Sequence, residues 1–124
     1  RAVNAIKNGG KTVISELVNG KLEDITPKII SDAYKQNDKV ATGIWIDVGV
    51  CLGAMFAGLV NLINPELIII GGGISQRAEI MFETVEATIK QRAMSILAEN
   101  VRVVPGGLGA NTGVVSAGAL VFQK

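Results

Sequence analysis

The segment Pro65-Glu66-Leu67-Ile68-Ile69-Ile70-Gly71-Gly72-Gly73-Ile74-Ser75 decides the fold. Leu67–Ile70 is an unbroken apolar run, mostly β-branched, that is too short for a helix and bounded by Pro on one side and Gly on the other. A strand apolar on both pleat faces suits a parallel sheet covered on both sides. Gly71-Gly72-Gly73 then turns the chain with no Cβ in the way, and Ser75 is placed to cap a helix from Gln76 to about Leu97. A strand that turns through glycine into a helix aims free backbone N–H groups at whatever lies above the turn. In open α/β sheets that position, beyond the carboxyl end of a parallel strand, is where ligands settle. The pattern is neither a GxGxxG fingerprint nor a P-loop, because no Gly-Lys-Ser/Thr follows. A tight connection without any ligand explains the spacing equally well.

Upstream of this segment, residues 39–63 carry a helical period through Ile44, Val48, Cys51/Leu52, Met55, Leu59 and Leu62/Ile63, which predicts one long helix with those side chains buried. Gly43, Gly49, Gly53 and Gly58 interrupt it at about 1 kcal/mol each relative to Ala. Close approach of a second backbone along the Gly49/Gly53 side accounts for such a cost. Pro65 disfavours helical geometry at Asn64 and ends the helix. Residues 44–63 are also apolar enough to suggest a membrane span, but Asp47 would cost roughly 2.5–3.5 kcal/mol at mid-membrane. No basic cluster flanks the stretch, so a core helix is the reading and no membrane contact is expected. Asp47 reads as a surface or capping group, and Cys51 as a small packing residue.

Before this helix, Arg1–Lys7 and Lys11–Val18 read as short helices around the Asn8-Gly9-Gly10 breaker. A third begins with Thr26 as N-cap and Pro27 in the first turn, buries Ile29, Ile30, Ala33 and Tyr34, and ends at Asn37-Asp38. After the long post-glycine helix, Val101–Val104 is a second strand. The loop from Pro105 to Asn111 leads to a last helix, from about Thr112 to Phe122. Caps and turn chemistry explain that loop without a ligand. The order is helices followed by β-α-β-α, an α/β lobe filling residues 1–124 as one unit.

Composition limits the chemistry. The 124 residues are 48% hydrophobic, enough to bury a core. A net charge of +1, from 12 scattered basic and 11 acidic residues, leaves no footprint for nucleic acid. With no His and a single Cys, the chain offers no zinc site, disulfide or His-based triad, and a reducing, cytoplasmic setting is expected. No nucleophile is paired with a base, and Glu79, Glu83 and Glu86 read as a solvated helix face. No catalytic residue and no metal ligand is expected in this chain.

The string Leu62-Ile63-Asn64-Pro65-Glu66 running into Leu67–Ser75 resembles the carboxyl-lobe signature of the ROK family of repressors and sugar kinases. Ala33–Ala41 resembles the family segment with a Gly-Asp pair, Asn37 standing where glycine is usual. Cys51-Leu52-Gly53 onward resembles its long helix, and Leu108–Ala119 resembles its closing Leu-Gly…Gly-Ala segment, without the usual Asp around Ala110–Thr112. The resemblance implies the carboxyl-terminal portion of an actin-like, hexokinase-like (ribonuclease H-like) two-lobe ATPase. It implies ATP with Mg as cosubstrate, a hexose, glucose first, as acceptor, and a homodimer. Gly71, Gly72 and Gly73 would take the adenosine-side, nucleotide-binding role. The catalytic Asp, the phosphate turns and a His/Cys zinc site would all lie upstream of Arg1. A glucokinase-like kinase is the first expectation, and a sugar-responsive repressor built on the same lobe is the alternative.

Overall fold

The computed structural model describes residues 2–72 and 78–107. Six helices and two strands follow one another: α1 (Ala2–Lys7), α2 (Val13–Leu17), α3 (Pro27–Lys35), α4 (Lys39–Ile63), β1 (Leu67–Ile70), α5 (Glu79–Arg92), α6 (Ser95–Ala98) and β2 (Arg102–Pro105), with a 3₁₀ turn at Leu22–Asp24. The strands pair in parallel, Leu67 opposite Arg102 and Ile70 opposite Pro105, so β1, the two following helices and β2 form a β-α-β crossover. The last helix expected from the sequence, with Asn111 and Thr112 before it, lies outside the described residues.

Local chemistry explains most of the helix ends. Thr26 caps α3, its hydroxyl accepting from the Ile29 amide, with Pro27 in the first turn. At the other end the Asn37 amide donates to the Tyr34 carbonyl and the Asp38 amide to the Ala33 carbonyl. This is a Schellman closure with Asn37 left-handed at φ +60°. Asparagine is the side chain best able to stand in for glycine in that region, because its short amide tolerates the geometry. The next residue, Asp38, starts α4 at once, its Oδ1 accepting from the Ala41 amide at 2.7 Å. Its Oδ2 accepts from the Val13 amide at 2.8 Å, so one carboxylate holds the starts of both α2 and α4. Asn64 ends α4 left-handed at φ +46°, ahead of Pro65.

The packed face of α4 is not the one its large apolar residues predict. Ala41, Trp45, Gly49, Gly53, Ala57 and Val60 are buried, whereas Met55, Leu59, Leu62, Ile63 and Cys51 are exposed and Ile44, Val48 and Leu52 only half-buried. The reason lies in α5. A Cβ on Gly49 would sit 2.7 Å from Thr84 Cβ and 2.8 Å from the Met81 carbonyl oxygen; one on Gly53, 2.5 Å from Thr88 Cβ and 2.8 Å from the Val85 carbonyl oxygen. The small residues let the two backbones meet, as expected for the Gly49/Gly53 side, and that seam turns the bulky side chains outward. Gly43 and Gly58 face open space, so close approach explains two of the four glycines. Asp47 is half-buried within the helix, and the capping carboxylate is Asp38.

The expected helix from Gln76 to Leu97 is shorter and interrupted. It starts at Glu79 behind an extended Ala78, so Ser75, itself outside the described residues, is not the residue that caps it. It breaks at Ala93, where φ −85° and ψ 163° leave the helix. No Gly or Pro marks this break. The Asn61 side chain on α4 accepts the Met94 amide at 2.9 Å and draws the chain out of the helix.

The main core joins Val60, Val85, Ile89, Ala98 and Val103, with Ile68 and Ile70 packed against it. A second cluster, of Ala2, Ile14, Ala33 and Ala41, binds α1–α3 to the start of α4. Leu67 and Ile69 are 42% and 62% exposed, so β1 is covered on one face among the described residues, not on both as its sequence suggests. The run reads as doubly buried because both pleat faces are apolar, but among the described residues the α4/α5 layer packs on the face of Ile68 and Ile70 alone. The long α4 is apolar enough by length and composition to cross a membrane, yet it is seated along one side on α5.

Candidate functional site

The parallel register brings the carboxyl ends of the two strands side by side. Beyond Ile70 and Pro105 come Gly71 and Gly106, and the Gly106 amide continues the ladder by donating to the Ile70 carbonyl at 2.9 Å. Gly71 is exposed. Gly72 takes φ +89°, a geometry that L side chains rarely adopt, and a Cβ there would meet nothing within 4 Å. Gly71 and Gly72, the described residues that follow β1, thus bring no side chain to the carboxyl end of the sheet, where α/β proteins take ligands. Gly73 lies outside the described residues, so the structure places two of the three expected glycines.

The start of α5 changes the electrostatics expected here. Its first helical residue is Glu79, the N-cap Ala78 offers no side-chain cap, and a carboxylate in the first turn offsets the positive end of the helix dipole. A helix opening directly behind the glycines would suit a phosphate; one opening on an acid suits it less. Among the described residues no group of three His, Cys, Asp or Glu is placed to hold a metal ion.

Sequence reasoning missed Gly106. It is buried, and a Cβ on it would lie 3.2 Å from Gly71 Cα and 3.6 Å from the Ile70 carbonyl oxygen. Both runs were legible as strands, and laying their carboxyl ends in parallel register would have put Gly106 beside Gly71. The neighbouring Gly107 is exposed and its Cβ position is open.

The environment of Asp38 displaces its pKa. Burial alone would raise it, but hydrogen bonds from the Ala41 and Val13 amides, the Thr12 hydroxyl and the Val40 amide outweigh burial and hold it below its ordinary value. It is 7% exposed and faces helix starts rather than the glycine turns, which makes it a structural acid.

With this geometry in view, the model of the ROK family matches residues 7–124. The chain belongs to the ROK family. It is 30% identical over 122 residues to a glucokinase of Thermotoga maritima, covering 96% of this chain and 38% of that protein. It is also 30% identical over 121 residues to the transcriptional dual regulator NagC of Escherichia coli, covering 98% of this chain and 28% of that protein. Among solved structures, a ROK glucokinase of Streptomyces griseus in complex with glucose and AMPPNP superposes with a TM-score of 0.78 at 28% identity, over 87% of this chain and 35% of that one. A ROK transcriptional regulator, a homologue of the E. coli Mlc protein, superposes with a TM-score of 0.73 at 27% identity, over 83% of this chain and 25% of that one. The fold is thus that of the actin-like, hexokinase-like ROK proteins. The chain spans about a third of the length of these ROK relatives.

Proposed function

We propose that this ROK chain is the carboxyl-terminal, nucleotide-side segment of an ATP-dependent hexose kinase of the glucokinase type. The observation that carries the reading is the Gly71-Gly72 turn, bare of side chains at the carboxyl edge of a parallel sheet. The likeness to a glucokinase structure in complex with glucose and AMPPNP supports it. In this reading Gly71, Gly72 and Gly73 hold the adenosine side of ATP, and the sugar, probed first as glucose, binds in a cleft formed with a second lobe. The γ-phosphorus forms a bond to a sugar hydroxyl oxygen as its bond to the β-phosphate bridging oxygen breaks. ADP leaves, and an Asp upstream of Arg1 takes the hydroxyl proton. Positioning and charge stabilisation supply most of the rate in such transfers. Mg²⁺ accompanies the phosphates, and both it and the family zinc site are assigned to residues outside this chain. The intact protein is read as a cytoplasmic, two-lobed homodimer acting in carbohydrate metabolism.

A coupled assay of ADP release with glucose, run on the polypeptide that carries this segment with its upstream part, tests the proposal. Turnover that needs both substrates supports it, and the 124-residue chain alone is expected to show none. The second reading is the same lobe in a sugar-responsive repressor, favoured by the equal identity to NagC over nearly the whole chain. Sugar-dependent release from DNA without ADP formation would establish that reading instead.

A further inference from the structure

The described residues hold a contact between the two strand ends that the proposed role of the Gly71 turn does not use. Gly106 is buried, and its backbone is fixed on one side by β2 and on the other by its amide bond to the Ile70 carbonyl. A Cβ at this position would meet Gly71 Cα at 3.2 Å and Ile69 Cγ2 at 3.6 Å. Carbon atoms pack at about 3.5–4.0 Å, so any side chain here must drive Gly71 outward by several tenths of an ångström or more. Of the two partners Gly71 is the one able to yield, because it is exposed and has already left the ladder that pins Gly106.

From this contact we infer that Gly106 is a positioning residue for the nucleotide: it sets the level of the Gly71-Gly72 turn without touching the ligand. The inference rests on the reading of that turn as a nucleotide contact. Its consequence is selective. Enlarging Gly106 shifts the turn, and so weakens ATP, while a sugar bound in the cleft keeps its own contacts. Gly107, next in the chain, is exposed with open space at its Cβ, and so supplies a control of the same chemistry without the push.

The test is calorimetric titration of the intact polypeptide with MgATP and, separately, with glucose, for wild type, Gly106→Ala, Gly106→Val and Gly107→Ala. The expected result is a stepwise loss of ATP affinity with side-chain size at Gly106, reaching about tenfold for Val, equivalent to about 1.4 kcal/mol. Glucose affinity and ATP binding to Gly107→Ala should stay within about twofold of wild type, a change of about 0.4 kcal/mol. Should Gly106→Val not fold, the ratio of ATP to glucose affinity in Gly106→Ala carries the test, since general destabilisation lowers both together. Wild-type binding of ATP with a flat Gly106 series overturns the positioning role alone. Wild type that takes glucose but no ATP overturns the nucleotide reading, and this inference with it.

Discussion

Replacing Gly53 by Ala adds one methyl group at the tightest point of the α4–α5 seam. The new Cβ would stand 2.5 Å from Thr88 Cβ, 3.0 Å from its Cγ2 and 2.8 Å from the Val85 carbonyl oxygen. Thr88 cannot swing away freely, because its hydroxyl donates to the Thr84 carbonyl at 2.7 Å. The helices must part instead, at the level where Val60, Val85 and Ile89 pack. Overpacking of this kind costs about 1–3 kcal/mol, and two contacts this short, one of them to backbone, put Gly53 at the upper end. Removing a helical glycine returns about 1 kcal/mol, which leaves a net loss of about 2. Gly58→Ala, on the same helix but facing open space, receives the same return with no clash and should gain about 1 kcal/mol. The two variants should therefore differ by about 3 kcal/mol, or about 1–3 M in urea midpoint for a small domain. Urea unfolding followed by far-ultraviolet circular dichroism reads the difference directly. Equal midpoints for Gly53→Ala and Gly58→Ala would refute the close-packed seam.

Other substitutions probe the helix ends and the candidate site. Asp38→Ala removes the acceptor at the starts of α2 and α4 and should cost about 2–4 kcal/mol in the same urea experiment, taking each charged cap as worth about 1–2. Because the folded pKa of Asp38 is depressed, its contribution is fully present above the unfolded carboxylate range and is lost as pH falls through the folded value. The urea midpoints of wild type and Asp38→Ala should therefore converge toward acid pH. Asn37→Ala should cost about 1 kcal/mol by placing an unassisted Cβ in left-handed geometry, whereas Asn37→Gly should be neutral or stabilising. Gly72→Val in the intact polypeptide should lower ATP affinity by about tenfold, and an unchanged titration would mean the turn touches no nucleotide.

How far these features were legible depends on whether their cause is local. The Thr26 cap, the Pro27 start, the stop at Asn64 and the first strand rest on neighbouring residues and appear where the sequence places them, and the second strand, expected at Val101–Val104, runs one residue later, from Arg102 to Pro105. The break at Ala93 has no local signal, because its cause is the Asn61 side chain on another helix. The exposed Met55, Leu59, Leu62 and Ile63 show the limit of hydrophobic periodicity, which finds the apolar face but not the face a neighbour can approach. On α4 the neighbour chose the glycines. At the candidate site, Gly71 and Gly72 were readable from the strand-to-turn pattern. Gly106 was not, since its importance comes from a register between segments distant in sequence.

The Asp38 carboxylate has a consequence in time as well as in energy. The Val13 and Ala41 amides are far apart along the chain yet share one acceptor group. Any fluctuation that swings Asp38 outward exposes both at once, along with the joint between the small α1–α3 cluster and the rest of the molecule. Deuterium uptake at these two amides should therefore rise and fall together as temperature or denaturant is varied. Detachment of the first three helices would then be a single cooperative event, gated by one side chain, rather than a gradual fraying from the amino-terminal end.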